Sequence, residues 1–438
     1  MKKHVMTAAA FAALSASAAI TMTDVSARQR WPWNGLVDVD FTISGAADDE
    51  AFAIDVTAEY AGGDMKIAAH SFTTDPVVKG AATHRITWDM AKDYPDFRAS
   101  DLRVSVTATP YTPETPVYMV IDISGGKDAV KYPVRYARTL PHVQGGMDEP
   151  CQTTEIWLRR VASAGQVFAF NNYRAPADDN DVFWVKLTKD FYIGVFEITQ
   201  KQWNLMAGTW PSSFSNETYR ASRPLDSYYP VYLFGKSGCT WSSENQTIPA
   251  NSLLQELRDK TGLATLNLPT DAQWNFAACG GKITTPDKTY SAYYVYNGYS
   301  RASVARYSAT QDAQYEGGNC GTNSGTACVG SYLPNKFGLY DMIGNVSEDC
   351  LDRYVSAAKL KNYYVTNNCE FPLIDPQGIP VASATALNGG NARTTMHGSN
   401  YALDSDYATL WDRRSGYTGY SGDSTYKRRG FRFCVTVE

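Results

Sequence analysis

Short runs in which apolar and polar residues alternate fill the first quarter of the chain. Leu36-Val37-Asp38-Val39-Asp40-Phe41-Thr42-Ile43 and Leu102-Arg103-Val104-Ser105-Val106-Thr107-Ala108 keep a period of two. That spacing places the apolar side chains on one face of an extended strand. Ala51 to Tyr60, Met65 to Phe72 and His84 to Trp88 are further strand candidates, with Gly45, Gly62-Gly63, Gly80 and Pro95 as breaks between them. Residues 28–111 therefore read as an all-β sandwich.

About five to seven strands in about 85 residues is the density of an immunoglobulin- or fibronectin-like sandwich. Its two histidines, His70 and His84, stand alone, so the expected role is a spacer or adhesion-type module. Pro110-Tyr111-Thr112-Pro113-Glu114-Thr115-Pro116 has the proline density of a stiff linker. The apolar run Val117 to Ile123 that follows either closes the first domain or leads into the second. Residues 112–150 are read as this linker and lead-in strand.

From 151 to 438 the pattern changes to few regular elements and long polar loops. Three helices announce themselves through capping boxes, in which a Thr or Ser caps the N-terminus and a Gln three residues on reaches back. They start at Thr199…Gln202, Ser252…Gln255 and Thr270…Gln273, and Gly208, Gly262 and Gly280 mark their ends.

Composition narrows the picture. Of 438 residues, 44% are hydrophobic and 19% charged, a globular balance. A net charge of -5 provides no basic field, which excludes nucleic acid as a partner. Lys2, Lys3 and His4, the apolar run Val5 to Leu14 and Ala16-Ser17-Ala18 form a secretory signal pattern over residues 1–18. The expected location is therefore exported: periplasmic, cell-surface or extracellular. No segment is long and apolar enough to read as membrane-spanning. Eight cysteines downstream of that signal suit an oxidising compartment and structural disulfides, with Cys320 and Cys328 a plausible local pair.

Four blocks in the second half resemble, in order, the formylglycine-generating enzyme (sulfatase-modifying factor) family. They are Phe191-Tyr192-Ile193-Gly194-Val195-Phe196-Glu197-Ile198-Thr199, Asn267-Leu268-Pro269-Thr270-Asp271-Ala272-Gln273-Trp274, Pro334 to Glu348, and His397-Gly398-Ser399 with Gly430-Phe431-Arg432. The resemblance implies an α+β, C-type-lectin-like domain over 151–438, behind the all-β sandwich. Catalytic members carry two cysteines, three and eight residues past the Ser; here those positions are Ala402 and Tyr407. Without thiolates the family's copper chemistry has no ligands. A three-His iron site has too few imidazoles, because His397 stands alone after 151, with His142 just before. Further departures are Ser347 for Trp, Asn267 for Arg, Asp271 and Gln273 for two Glu, and His397 for Gly. Asn345 and Glu348 lie where the resemblance implies a structural Ca²⁺, a hard ion suited to their oxygens. Local turn hydrogen bonds are the alternative role for that pair.

The last loop resembles a paratope in composition. Tyr401, Tyr407, Trp411, Tyr417 and Tyr420 supply rigid contact area, and Asp404, Asp406, Arg413 and Arg414 supply polarity. Arginines such as these two are more often solvated or paired with nearby Asp than ligand-binding. The reading is an exported binding protein for a peptide, protein or glycan, with no catalytic residues. Two alternatives stand: a formylglycine-generating-type oxidoreductase acting on a protein cysteine, and a structural component of the cell envelope.

Overall fold

The structure is a computed structural model. It describes residues 6–7, 20–31, 34–63, 65–99, 101–112, 115, 117–141, 149–170, 182–214, 218–235, 248–281, 301–308, 325–391, 393–403, 407–410, 412–417 and 428–437. Most of the expected signal lies outside them. Within it Met6–Thr7 is described, a two-residue strand paired with Ala27 and Ser26. No helix among the described residues is long and apolar enough to cross a membrane. The fold is mixed α/β, with large sheets and few helices. It divides into two compact units, Met1–Val120 with Val134–Leu140, and Ile121–Pro133 with Pro141–Glu438.

In the first unit, strands Thr21–Gln29, Leu36–Ser44, Thr83–Asp89, Ser71–Phe72 and Val134–Ala137 pair antiparallel in that order. A second antiparallel sheet is built on Ala51–Tyr60, which pairs with Met65–Ala68, Val77–Lys79 and Arg103–Pro110. Val37, Val39, Phe41 and Ile43 from one sheet meet Phe52, Ile54, Val56, Ala58, Val104 and Val106 from the other in a single core. This is the physical meaning of the period-two pattern: alternate side chains leave water together. The run Met65 to Phe72 is not one strand. It breaks at Ala69-His70, and its halves join different sheets.

The second unit contains an antiparallel sheet in the order Glu155–Val161, Phe191–Gly194, Cys434–Thr436, Leu266–Asn267. A second sheet runs Arg413–Tyr417, Arg393–His397, Ser347–Arg353, Arg429–Gly430. Helix Gln200–Ala207 has the full Thr199/Gln202 capping box and ends at left-handed Gly208. Ser252 caps Leu253–Thr261, which ends at Gly262, but the Gln255 amide donates to Asp259 instead of reaching back. Helix Asp271–Ala278 has the reciprocal Thr270/Gln273 box, and its C-cap is Cys279, one residue before Gly280. All eight residues of that helix are buried. A helix enclosed on every side lacks an apolar stripe, and its polar residues must find partners inside the protein.

The turn before strand Ser347–Arg353 fixes where that helix meets the last strands. Gly344 has φ +84°, and a Cβ there would lie 2.0 Å from the Arg306 carbonyl oxygen. The same carbonyl accepts from Asn345 N–H at 2.8 Å, and Gly344 N–H donates to Gly398 O at 2.5 Å. Gly344→Ala is expected to cost more than about 2 kcal/mol in urea unfolding. A loss below about 0.5 kcal/mol, within the range of an unremarkable surface change, would contradict this geometry.

Candidate functional site

The site grows from Asp271 and Trp274, in the first turn of helix Asp271–Ala278, whose partners the sequence alone did not show. Asp271, its first residue, accepts from His397 Nε2 at 2.5 Å through Oδ1 and from Arg413 Nε at 2.7 Å through Oδ2. Burial raises the Asp271 carboxyl, but Arg413 and His397 outweigh it and hold it down at about 2. Arg413 also donates to Val355 O at 2.5 Å and to Thr395 Oγ1 at 3.3 Å. The Asp271 backbone N–H donates to Asp352 Oδ2 at 2.6 Å. Burial, then the charge of Asp271, pushes the Asp352 carboxyl up to about 8. Asp271 and His397 are two departures from the family pattern, and here they form one hydrogen-bonded pair. Arg413, expected on the ligand surface, has a side chain only 2% exposed and serves the interior.

One turn further along, Trp274 stacks on the His397 ring at 4.5 Å and 11°. Its Nε1 donates to Glu348 Oε2 at 2.7 Å. Arg432 grips the same carboxylate with Nε to Oε2 at 2.6 Å and Nη2 to Oε1 at 2.5 Å. Its remaining donors go to Gly194 O at 2.8 Å and Tyr340 O at 2.9 Å. Glu197 and Asp341 share this interior. Burial, then Asp341 and Glu348, drives the Glu197 carboxyl far above its ordinary range. Burial lifts Asp341 to about 6. Low-dielectric crowding of like charges around one arginine favours protonated carboxyls.

These contacts do not fit calcium at Asn345 and Glu348. Asn345 donates to Glu197 Oε2 at 2.7 Å and accepts from Ala327 N–H at 2.8 Å. Both Glu348 oxygens are held by Arg432, and one also by Trp274. An ion there would have to displace a buried guanidinium. Among the described residues no group of three or more His, Cys, Asp or Glu is arranged to hold a metal.

The loop that would carry the family's thiols is pinned from below. Ser347 Oγ donates to Ser399 O at 2.8 Å and accepts from Asn400 Nδ2 at 3.0 Å. Thus a third departure, Ser for Trp, is also a structural partner of this loop. Tyr401 N–H donates to Asn345 O at 2.9 Å, and Ala402 N–H to Asn400 Oδ1 at 3.2 Å. Among the described residues no free cysteine is set up to replace the missing thiols. Cys151, Cys279, Cys350, Cys369 and Cys434 are free, and all but Cys369 are buried. Burial raises Cys350 and Cys434 well above the ordinary thiol range, the reverse of an activated thiolate. Cys328 is disulfide-bonded and these five are not, while Cys239 and Cys320, the expected partner of Cys328, lie outside the described residues.

The partly exposed face above the loop is aromatic and cationic. Tyr401 meets Phe214 edge-on at 5.2 Å, and Arg428 lies 5.9 Å from the Tyr401 ring centre. Arg414 sits 4.5 Å over Tyr407 and donates to Asp412 Oδ2 at 2.5 Å. Arg220 stacks 4.1 Å over Trp210, while Arg223 lies 5.7 Å from Phe214 and 5.8 Å from Tyr219. Tyr401 is thus placed on this face by Phe214 and Arg428, while Tyr407 and Arg414 meet each other. Asp404, Asp406, Trp411 and Tyr420 lie outside the described residues, and Tyr417 is described only as backbone in its strand. Sequence reasoning missed the 210–223 segment. The signal was present: Trp210-Pro211-Ser212-Ser213-Phe214 and Tyr219-Arg220-Ala221-Ser222-Arg223 repeat the Tyr/Trp/Ser/Arg vocabulary of the last loop.

This fold and site define a formylglycine-generating-type domain whose thiol positions are vacant of sulfur. The Sulfatase-modifying factor enzyme 1-like domain profile matches residues 164–436, and the chain belongs to that family. It is 28% identical over 204 residues to the chaperone protein LppX of Paenibacillus barcinonensis, covering 42% of this chain and 68% of that protein. It is 32% identical over 165 residues to the formylglycine-generating enzyme of Streptomyces coelicolor, covering 38% of this chain and 45% of the enzyme. The match therefore spans less than half of that enzyme's length. Treponema denticola variable protein 1 aligns at 18% identity and a TM-score of 0.43, covering 64% of this chain and 95% of that structure.

The buried carboxyls give the fold a pH signature. Asp352 holds its proton up to about 8 in the fold against an ordinary 3.8. Between those values the folded state binds more protons than the unfolded chain, so stability falls as pH rises through that window. Asp352→Asn is expected to flatten part of the decline in melting temperature from pH 5 to pH 8. An unchanged slope in that variant would remove Asp352 from the account.

Proposed function

We propose that this chain is an exported, non-catalytic binding protein that holds a peptide or protein partner on the aromatic face around Tyr401. The observation that carries the reading is the replacement of both thiol positions by Ala402 and Tyr407 in a loop whose backbone is fixed by Asn345, Ser347 and Asn400. Fixing the backbone here keeps Tyr401 in place before a partner arrives, which lowers the ordering cost of binding. Tyr and Trp beside Arg is the composition of interface anchors. The Paenibacillus relative is named as a chaperone, which favours a protein partner over a glycan. The first unit, as an immunoglobulin- or fibronectin-like sandwich, serves as a spacer. The export signal rests on the pattern of residues 1–18.

The test is a screen of the purified full chain against peptide and glycan arrays, followed by titration of the best probe against wild type and Tyr401→Ala. Saturable binding that weakens at least about tenfold in the variant is the expected outcome. Binding indifferent to Tyr401, or conversion of a peptide cysteine to formylglycine seen by mass spectrometry, would overturn the reading. The second outcome would establish the oxidoreductase instead.

A further inference from the structure

The face around Tyr401 has a charge asymmetry that the chain as a whole does not share. Arg220, Arg223 and Arg428 each lie over an aromatic ring there, although the full chain has a net charge of -5. Arg306 adds its field: burial, then the charge of Arg306, lowers the Arg223 guanidinium from its usual value. Among the described residues neither Arg220 nor Arg428 forms an ion pair, and Arg220 Nε is buried with no hydrogen-bond partner. Among the described residues the carboxylate within this group is Asp226. Its Oδ1 is taken by Ser213 N–H at 2.5 Å and Ser227 Oγ at 2.9 Å. Burial raises it to about 6, so near pH 7 it is mostly ionised, and its charge is set against Arg223, leaving Arg220 and Arg428.

A guanidinium lying flat on a ring keeps its N–H groups in its own plane, free to meet an oxyanion from the side. Arg220 and Arg428, with no carboxylate partner among the described residues and beside half-buried Phe214, Tyr219 and Tyr401, match a ligand that offers carboxylates and apolar side chains together. A long polyanion needs a long basic track, and the acidic remainder of this chain repels one. A short acidic segment needs only the local patch.

Resting on the reading of the chain as a binding protein, we propose that the cluster Trp210, Phe214, Arg220, Arg223, Tyr401 and Arg428 recognises an acidic peptide segment, pairing its carboxylates with Arg220 and Arg428.

The experiment uses the full chain and three probes: a short labelled peptide rich in Glu and Asp with interspersed Leu and Phe, its Gln/Asn isostere, and a sulfated oligosaccharide. The acidic peptide is expected to bind at least about tenfold more tightly than the isostere, a margin typical of charge-assisted pairs. That preference should vanish in the Arg220→Gln/Arg428→Gln variant and shrink as salt rises. Arg220→Lys/Arg428→Lys keeps the charge but loses the planar fork, and should retain part of the preference; it decides the matter if the Gln variant fails to fold. An equal affinity for both peptides, or a preference that survives in the Gln variant, overturns the proposal. So does arginine-dependent binding confined to the sulfated oligosaccharide. If both peptides bind equally and both weaken in Tyr401→Ala, the binding reading stands and only the acidic specificity falls. If none of the three probes binds and the arrays show no ligand either, the binding reading falls with it.

Discussion

Everything around the loop that holds the family's two thiol positions depends on one buried chain of charge-assisted hydrogen bonds. It runs from Arg413 through Asp271 to His397, across the His397–Trp274 stack, and on through Glu348 to Arg432. Helix Asp271–Ala278 supplies two members, and strands Ser347–Arg353, Arg393–His397 and Arg413–Tyr417 supply one each. Arg432 then reaches the backbone of Gly194 and Tyr340. Polar groups in a water-free interior must be fully partnered to be tolerated. Removing one partner of such a buried pair typically costs about 3–5 kcal/mol, because a charge is left stranded. The network therefore fixes a single arrangement of helix and sheet more than it adds net stability.

Seen this way, the departures from the family pattern are coupled. A shorter acid at 271 meets an imidazole at 397, and a hydroxyl at 347 meets the backbone of Ser399 and the amide of Asn400. The interior retains its order without the thiols, and the loop above it is held as a platform. Rigidity below and aromatic rings above are what a recognition surface needs.

The sequence made the helices and most strands of the first unit legible because those signals are local. Thr199 with Gln202, and Thr270 with Gln273, close their caps within one turn. The alternation in Leu36 to Ile43 needs only a strand and a core. What could not be read was which polar residues face inward. Arg413 and Arg414 are neighbours with the same chemistry, yet one is sealed against Asp271 and the other pairs with Asp412 at the edge. That outcome depends on strand register, set by partners scattered along the chain. Asn345 and Glu348 look like oxygen ligands in one dimension, but in three dimensions Glu197 and Arg432 already hold them. Likewise, Trp210 to Arg223 joins the Tyr401 face only after the fold brings the two segments together.

We propose that this domain presents a fixed binding platform at the positions where its family carries a thiol–copper centre. The most direct measurement is a Cu(I) competition titration of the purified full chain, with X-ray absorption of any copper retained. The account predicts that a chelator of micromolar affinity strips the metal and that no two-sulfur copper site is seen. One equivalent of copper held against that chelator by two sulfurs would contradict it.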